Sequence, residues 1–369
     1  MDGSKDPHRL RQWLFRRLPP ARAAARISEK LKMNFRGIVA SKISQKVLDK
    51  LIPGIWPGTA GALFERSLNV EMKGNFLIHI GSDALPLTPR SILLREEDFY
   101  KHLLPVCFPG QPVFIEDGSI SLGQKKVDLF HPRSRHYDPQ LNLTGRLLAP
   151  HEVSSHLARA LHRIESARGK MGESYFSPFR SYFLSRISTI GKPGFGRLAG
   201  PSRLKGETDL AVRMKNALWQ KTDGFLSAMS RQDGKEALGS AQGLIGLGPG
   251  LTPSGDDFLA GFFSAGAVLG ARSGGAEEMP EAASIVAATV REEAAGKPTS
   301  VSAAMLADAL QGEVSEPVKG FLYSVLQAGD GREIRFWAGE ISRMGAFSGE
   351  DLLNGLASGI LFFRRISGL

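Results

Sequence analysis

Two adjacent carboxylates, Asp256 and Asp257, close a glycine-rich run, Gly246-Leu-Gly-Pro-Gly-Leu-Thr-Pro-Ser-Gly-Asp-Asp-Phe-Leu-Ala-Gly261. Glycine reaches backbone conformations closed to other residues and lets a ligand approach the main chain. Pro253 drives Thr252 toward an extended conformation, so the segment reads as a shaped loop that opens a helix. Ser254 reads as the N-cap, with Asp257 at the capping-box position. Asp256 has no duty in that box, which makes it the first candidate to accept from a substrate NH2 group or to act as a general base, with Asp257 beside it. Gly246, Gly248, Gly250, Thr252, Ser254 and Gly255 form a candidate substrate cradle, because N–H groups at a helix start attract anions. The run is not a P-loop, since no Lys-Ser/Thr pair follows the glycines. Two acids also outweigh the roughly half positive charge of a helix N-terminus, so a bare phosphate would need a cation there.

The pattern recurs as Ser348-Gly-Glu-Asp-Leu-Leu-Asn-Gly355. Gly266 and Gly270 follow the first copy and Gly359 the second, so small residues recur four apart on both helices. The expectation is that the two helices pack closely, with both acidic starts at one pocket, which adds Ser348, Gly349 and Asp351 to the candidate binding residues. Asp256, Asp257, Glu350 and Asp351 around one cavity would repel one another unless protonated or neutralised by arginine or Mg2+. Mg2+ is therefore the candidate cofactor and those four acids its candidate ligands. Arg90, in Pro86-Leu-Thr-Pro-Arg-Ser91, is a candidate for a bidentate grip on carboxylate or phosphate. Thr299, Ser300 and Ser302 read as helix-capping residues, and His79 as a histidine satisfied within a sheet.

The elements that must position these residues form an α+β chain. Strand candidates at 67–72, 76–80, 91–94, 113–116 and 119–129 are separated by Gly, Pro, Asn and Asp, giving a β-rich domain over 51–150. Helical patterns follow at 151–168, 210–230, 258–272, 281–295, 301–311, 317–328, 333–344 and 351–365, giving a helical domain over 151–369 that carries the glycine run. Residues 169–208, rich in Gly, Pro, Ser and basic side chains, read as an irregular connection or flap. Residues 1–50 read as a basic extension whose removal to residue 45 leaves the fold intact. Leu10, Trp13, Leu14 and Leu18 recur at helical spacing within it.

The 369 residues carry a formal net charge of +10, concentrated in that extension, which keeps an anionic membrane, an acidic partner or nucleic acid open as its target. No nucleic-acid module signature accompanies the charge, and no apolar run is long enough to span a bilayer. The single cysteine, Cys107, excludes an internal disulfide and a multi-cysteine zinc site. A cytoplasmic location is the expectation. The dinucleotide fingerprint, the Gly-x-Ser-x-Gly elbow and the kinase signatures are all missing.

The run at 246–261 resembles the signature of the AllH family, and the likeness extends to Pro86–Leu94, Thr299–Gly312 and Gly345–Gly355. Many members read Gly-His-Thr/Ser-Ser-Gly where this chain has Gly345-Ala346-Phe347-Ser348-Gly349, without the histidine. The resemblance implies a β-rich part followed by a helical part. It further implies a subunit of oxamate carbamoyltransferase, acting with AllF-like and AllG-like subunits in allantoin and purine degradation. The reaction implied interconverts oxalurate plus phosphate and oxamate plus carbamoyl phosphate. A non-catalytic ligand-binding or scaffolding subunit is the alternative.

Overall fold

A computed structural model describes residues 38–366 apart from 52–53, 117, 130, 168–207, 273–280, 295, 297–298 and 329. Most of the basic extension and nearly all of the connection expected at 169–208 lie outside the described residues.

Nine strands form one sheet: β1 (Ile38–Ser44), β2 (Trp56–Leu63), β3 (Ser67–Met72), β4 (Phe76–Ser82), β5 (Ser91–Leu94), β6 (Pro112–Glu116), β7 (Ser119–Leu122), β8 (Lys125–Asp128) and β9 (Arg135–Tyr137). Their order is β5-β4-β3-β2-β6-β7-β8-β1-β9, and β1 pairs back with β5, which closes strands β1–β8 into a barrel. Closure removes free sheet edges. Positive φ at Gly74 and Asn75 makes the expected turn between β3 and β4. Leu68, Val70, Ile78, Ile80, Val113, Ile115, Ile120 and Leu122 fill the interior.

The barrel begins inside the segment expected to be a dispensable extension. β1 pairs with β5, β8 and β9, and a short helix α1 (Gln45–Leu51) follows it. Ile38, Ala40 and Ile43 are buried, but a register shift between Ala40 and Lys42 breaks their alternation. A bulge of this kind erases the period-2 signal by which strands are read.

The helices are α2 (Pro150–Ala167), α3 (Asp209–Ser230), α4 (Gly234–Leu244), α5 (Ser254–Arg272), α6 (Glu281–Ala294), α7 (Ser300–Ala309), α8 (Glu316–Tyr323), α9 (Gly331–Ser342) and α10 (Ser348–Ile366). Helix α4 has no counterpart in the sequence reading, because its glycines weaken the helical pattern; Asp233 caps it by accepting from Glu236 N–H. Helices α5 and α10 lie side by side at the centre. A side chain at Gly261 would collide with the Leu352 carbonyl, and one at Gly355 with the Phe258 carbonyl. Gly359 meets Phe262, and Gly266 meets Phe363. These contacts advance together along both helices, so α5 and α10 run parallel and their N-termini meet.

Barrel and helices are stitched along one seam. Tyr137 Oη donates to the Val314 carbonyl at 2.7 Å, Val314 N–H to the Pro139 carbonyl at 3.0 Å, and Glu316 N–H to the Leu87 carbonyl at 2.9 Å. Arg135 pairs with Glu316 across the same seam.

Candidate functional site

The loop before α5 is set by three glycines with positive φ: Gly246 at 77°, Gly248 at 131° and Gly250 at 92°. At Gly248 a side chain would also strike the Ser254 backbone nitrogen. Asp256 and Asp257 N–H both bond the Pro253 carbonyl, so Pro253, not Ser254, occupies the capping position, and the helix begins at Ser254. Gly255 N–H bonds the Leu247 carbonyl. The second copy repeats this: Glu350 and Asp351 N–H bond the Phe347 carbonyl, and Gly349 N–H bonds that of Met344. The first-turn amides are thus taken up by the loops themselves, and are not an open cradle for an anion.

The two acids of the first copy part ways. Asp256 is fully buried; Oδ1 accepts from Gly246 N–H at 2.9 Å and Oδ2 from the Ser302 hydroxyl at 2.6 Å. It ties the glycine loop to α7, whose start is capped by Thr299 accepting from Ser302 N–H. Burial raises its pKa, and those two hydrogen bonds pull the other way. Asp257, 2 % exposed, faces a cavity instead. The hydroxyls of Thr252 and Ser348 lie 2.8 Å apart and both hydrogen-bond its carboxyl. Its Oδ2 is buried with no hydrogen-bond partner. Burial, reinforced by the charge of Asp351, pushes the Asp257 carboxyl well above the usual carboxylate range, and the Ser348 and Thr252 hydrogen bonds pull the other way.

The cavity has a volume of about 400 Å³ and opens between barrel and helices. Thr252, Asp257, Arg90, Ser348 and Gly349 line it; Gly246, Gly248, Gly250, Ser254, Gly255, Asp256, Glu350 and Asp351 do not. The barrel contributes Asn69, Leu77, His79 and Leu85. Helix α7 contributes Val301, Ala304, Met305 and Asp308, the i, i+3, i+4, i+7 set of one helical face. Arg90 does grip a carboxylate, but an internal one: its Nε and Nη2 hold Asp308 in bidentate fashion at 2.6–3.0 Å. Its guanidinium also stacks on Phe76, 4.9 Å from the ring centre. Lys46 bonds Asp308 at 2.6 Å and also pairs with Glu313. Arg343, at the exposed rim, pairs with Glu340. His79 Nδ1 lies 3.1 Å from Asn69 Oδ1, and burial lowers its pKa to about 4, so its ring is neutral.

Sequence reasoning did not single out Asp308, Glu313, Lys46 or Arg343 as parts of the site. The spacing along α7 was the available signal for Asp308. Among the described residues, no group of three or more His, Cys, Asp or Glu side chains is arranged to hold a metal ion. Asp256 is turned into its two hydrogen bonds, so the four acids do not converge as a Mg2+ site requires. No described helix is long and apolar enough to cross a membrane.

The fold and the cavity define a two-part α+β protein: a closed barrel joined to a helical unit whose two parallel acidic helix starts lie beside a small-molecule pocket. Residues 39–134 match the AllH family N-terminal domain, and residues 244–360 match the family described as oxamate carbamoyltransferase subunit AllH. The chain belongs to the AllH family. No curated protein and no solved structure gives a significant match. The two matched segments are the ones that wall the cavity.

Proposed function

We propose that this chain is the subunit of a carbamoyltransferase that handles the amide partner, and that the cavity beside Asp257 is its site. One observation carries the reading: a deeply buried carboxyl with an unpartnered oxygen, its pKa pushed upward by burial, lines a cavity built by both family segments. An amide nitrogen is a poor leaving group unless it is protonated as the bond breaks. In the direction from oxalurate, a phosphate oxygen attacks the carbamoyl carbon and the carbon–nitrogen bond breaks. The bond's electron pair passes to the oxamate nitrogen, which takes the Asp257 proton. The proton that hydrogen phosphate gives up restores the carboxyl. In reverse, Asp257 accepts a proton from the amide as nitrogen attacks carbamoyl phosphate. Thr252 and Ser348 orient the carboxyl, and Asp256 holds the loop that carries Thr252.

This subunit works with other subunits, AllF-like and AllG-like, in a cytoplasmic enzyme of allantoin and purine breakdown. The test is carbamoyl phosphate formation from oxalurate and phosphate by the assembled subunits. Activity that needs this chain supports the reading. Full activity from the partner subunits alone would reduce the chain to a scaffold.

A further inference from the structure

The two arginines that line the cavity are committed to very different degrees. The side chains of Arg90 and Asp308 are only 13 % and 6 % exposed, and Lys46 joins them while pairing with Glu313. Drawing Arg90 onto a ligand would leave a buried carboxylate short of a partner, which is strongly unfavourable. Arg343 is 72 % exposed, and its partner Glu340, three residues back on α9, is also partly exposed. Surface pairs of this kind contribute little and are readily exchanged for another anion. The pair engages Nη1, one nitrogen of a guanidinium with five N–H donors. A carboxylate takes two such donors side by side.

Arg343 also stands at the Asp257 end of the cavity. It directly follows α9, and a side chain at Gly349 would strike the Ile341 carbonyl and crowd the Ser342 Cα. The end of α9 therefore packs on the first turn of α10, where the Ser348 hydroxyl meets the Asp257 carboxyl. Arg343, Gly345, Ser348, Gly349 and Asp257 line the same cavity. The Arg90–Asp308 pair is set apart: Ser302 at the start of α7 bonds Asp256, and Asp308 lies further along that helix. In both oxamate and oxalurate the carboxylate is bonded directly to the carbonyl carbon that carries the nitrogen served by Asp257. A group that grips this carboxylate must therefore stand close to Asp257.

Resting on the reading of Asp257 as the group that serves the amide nitrogen, we propose that Arg343 is the carboxylate-binding residue of this cavity. Its guanidinium turns from Glu340 to hold the ligand carboxylate at the mouth, while the amide end sits inward on Asp257, Thr252 and Ser348. Preference for a carboxylate over a neutral group thus lies on an exposed arginine that Glu340 and the ligand share in turn, and not on the buried Arg90.

The test is calorimetric titration of the full chain with oxamate and with oxamide, in which a neutral amide replaces the carboxylate. Arg343→Ala should weaken oxamate about tenfold or more and leave oxamide unchanged. Arg343→Lys, which keeps the charge without the fork, should recover part of that loss. Added salt should weaken oxamate and spare oxamide, because the contact is at the exposed rim. Glu340→Gln, which releases the guanidinium, should hold oxamate at least as tightly as the unaltered chain. Asp257→Leu should weaken both ligands. Oxamate binding unchanged by Arg343→Ala, with both ligands weakened by Asp257→Leu, would overturn the proposal and leave the Asp257 reading standing. An equal loss of oxamate in Glu340→Gln and Arg343→Ala would also overturn the proposal, since the pair would then serve the end of α9. Both ligands unaffected by Asp257→Leu would overturn the Asp257 reading and, with it, the placement of the carboxylate. No binding of either ligand would overturn both.

Discussion

Asp257 and Asp351 occupy equivalent places in two copies of one Ser-Gly-acid-Asp pattern, and the parallel packing of α5 and α10 brings them together. The charge of Asp351 adds to burial in raising the Asp257 pKa. Of the two equivalent acids, Asp257 lines the cavity and Asp351 does not.

That relationship depends on glycine. Gly261→Ala and Gly355→Ala should each destabilise the protein by about 1–3 kcal/mol or more, since the added methyl meets backbone and not a movable side chain. Chemical denaturation measures this. Gly270→Ala, where a side chain meets nothing, is the control and should be neutral or slightly stabilising.

Asp256→Ala should cost about 2–4 kcal/mol, because it leaves Gly246 N–H and the Ser302 hydroxyl without their shared acceptor. Activity should fall with stability, and Ser302→Ala should show a smaller loss of the same kind. Denaturation and activity of both variants, measured together, check this. An Asp256→Ala protein of normal stability would contradict the role of Asp256 as a clamp.

The stability of Asp257→Asn should depend on pH in a stated direction. A carboxyl whose pKa is raised by folding stabilises the protein at low pH, and that contribution is lost as pH rises through the folded-state value. Asparagine mimics the protonated form and avoids the loss. Its melting temperature should therefore exceed that of the unaltered protein by more at pH 7 than at pH 4. Equal differences at both values would mean that Asp257 titrates normally.

Deleting residues 1–45 should unfold the barrel, because β1 joins β5 to β8 and carries β9. Circular dichroism and limited proteolysis of the truncated chain would show it. A soluble, protease-resistant product would mean the barrel closes without β1.

The sequence was legible where one physical signal acted alone. Strands β3 to β6 were marked by apolar runs between turn residues, whereas β7 and β8 were read as one strand over 119–129 and β2 and β9 were missed; the helices from α5 onward were marked by long apolar stretches between turn signals. The glycines of α5 and α10 announced a close contact, and the structure has it. β1 was hidden by its bulge and by the surrounding lysines and arginines. Ser254 was expected as the cap, but the helix begins at Ser254 itself, with the Pro253 carbonyl accepting its first bonds. The far end of the site was invisible for another reason: Lys46, Arg90, Asp308 and Glu313 are distant in sequence and meet only when barrel and helices dock.

The most direct measurement is the turnover of the assembled enzyme carrying Asp257→Asn in this chain, assayed for carbamoyl phosphate from oxalurate and phosphate. Asparagine keeps the shape and the fold but has no acidic proton to give. The account predicts a fall in kcat of about 10²- to 10⁴-fold with the assembly intact. An intact assembly with unchanged kcat would show that Asp257 moves no proton in the reaction.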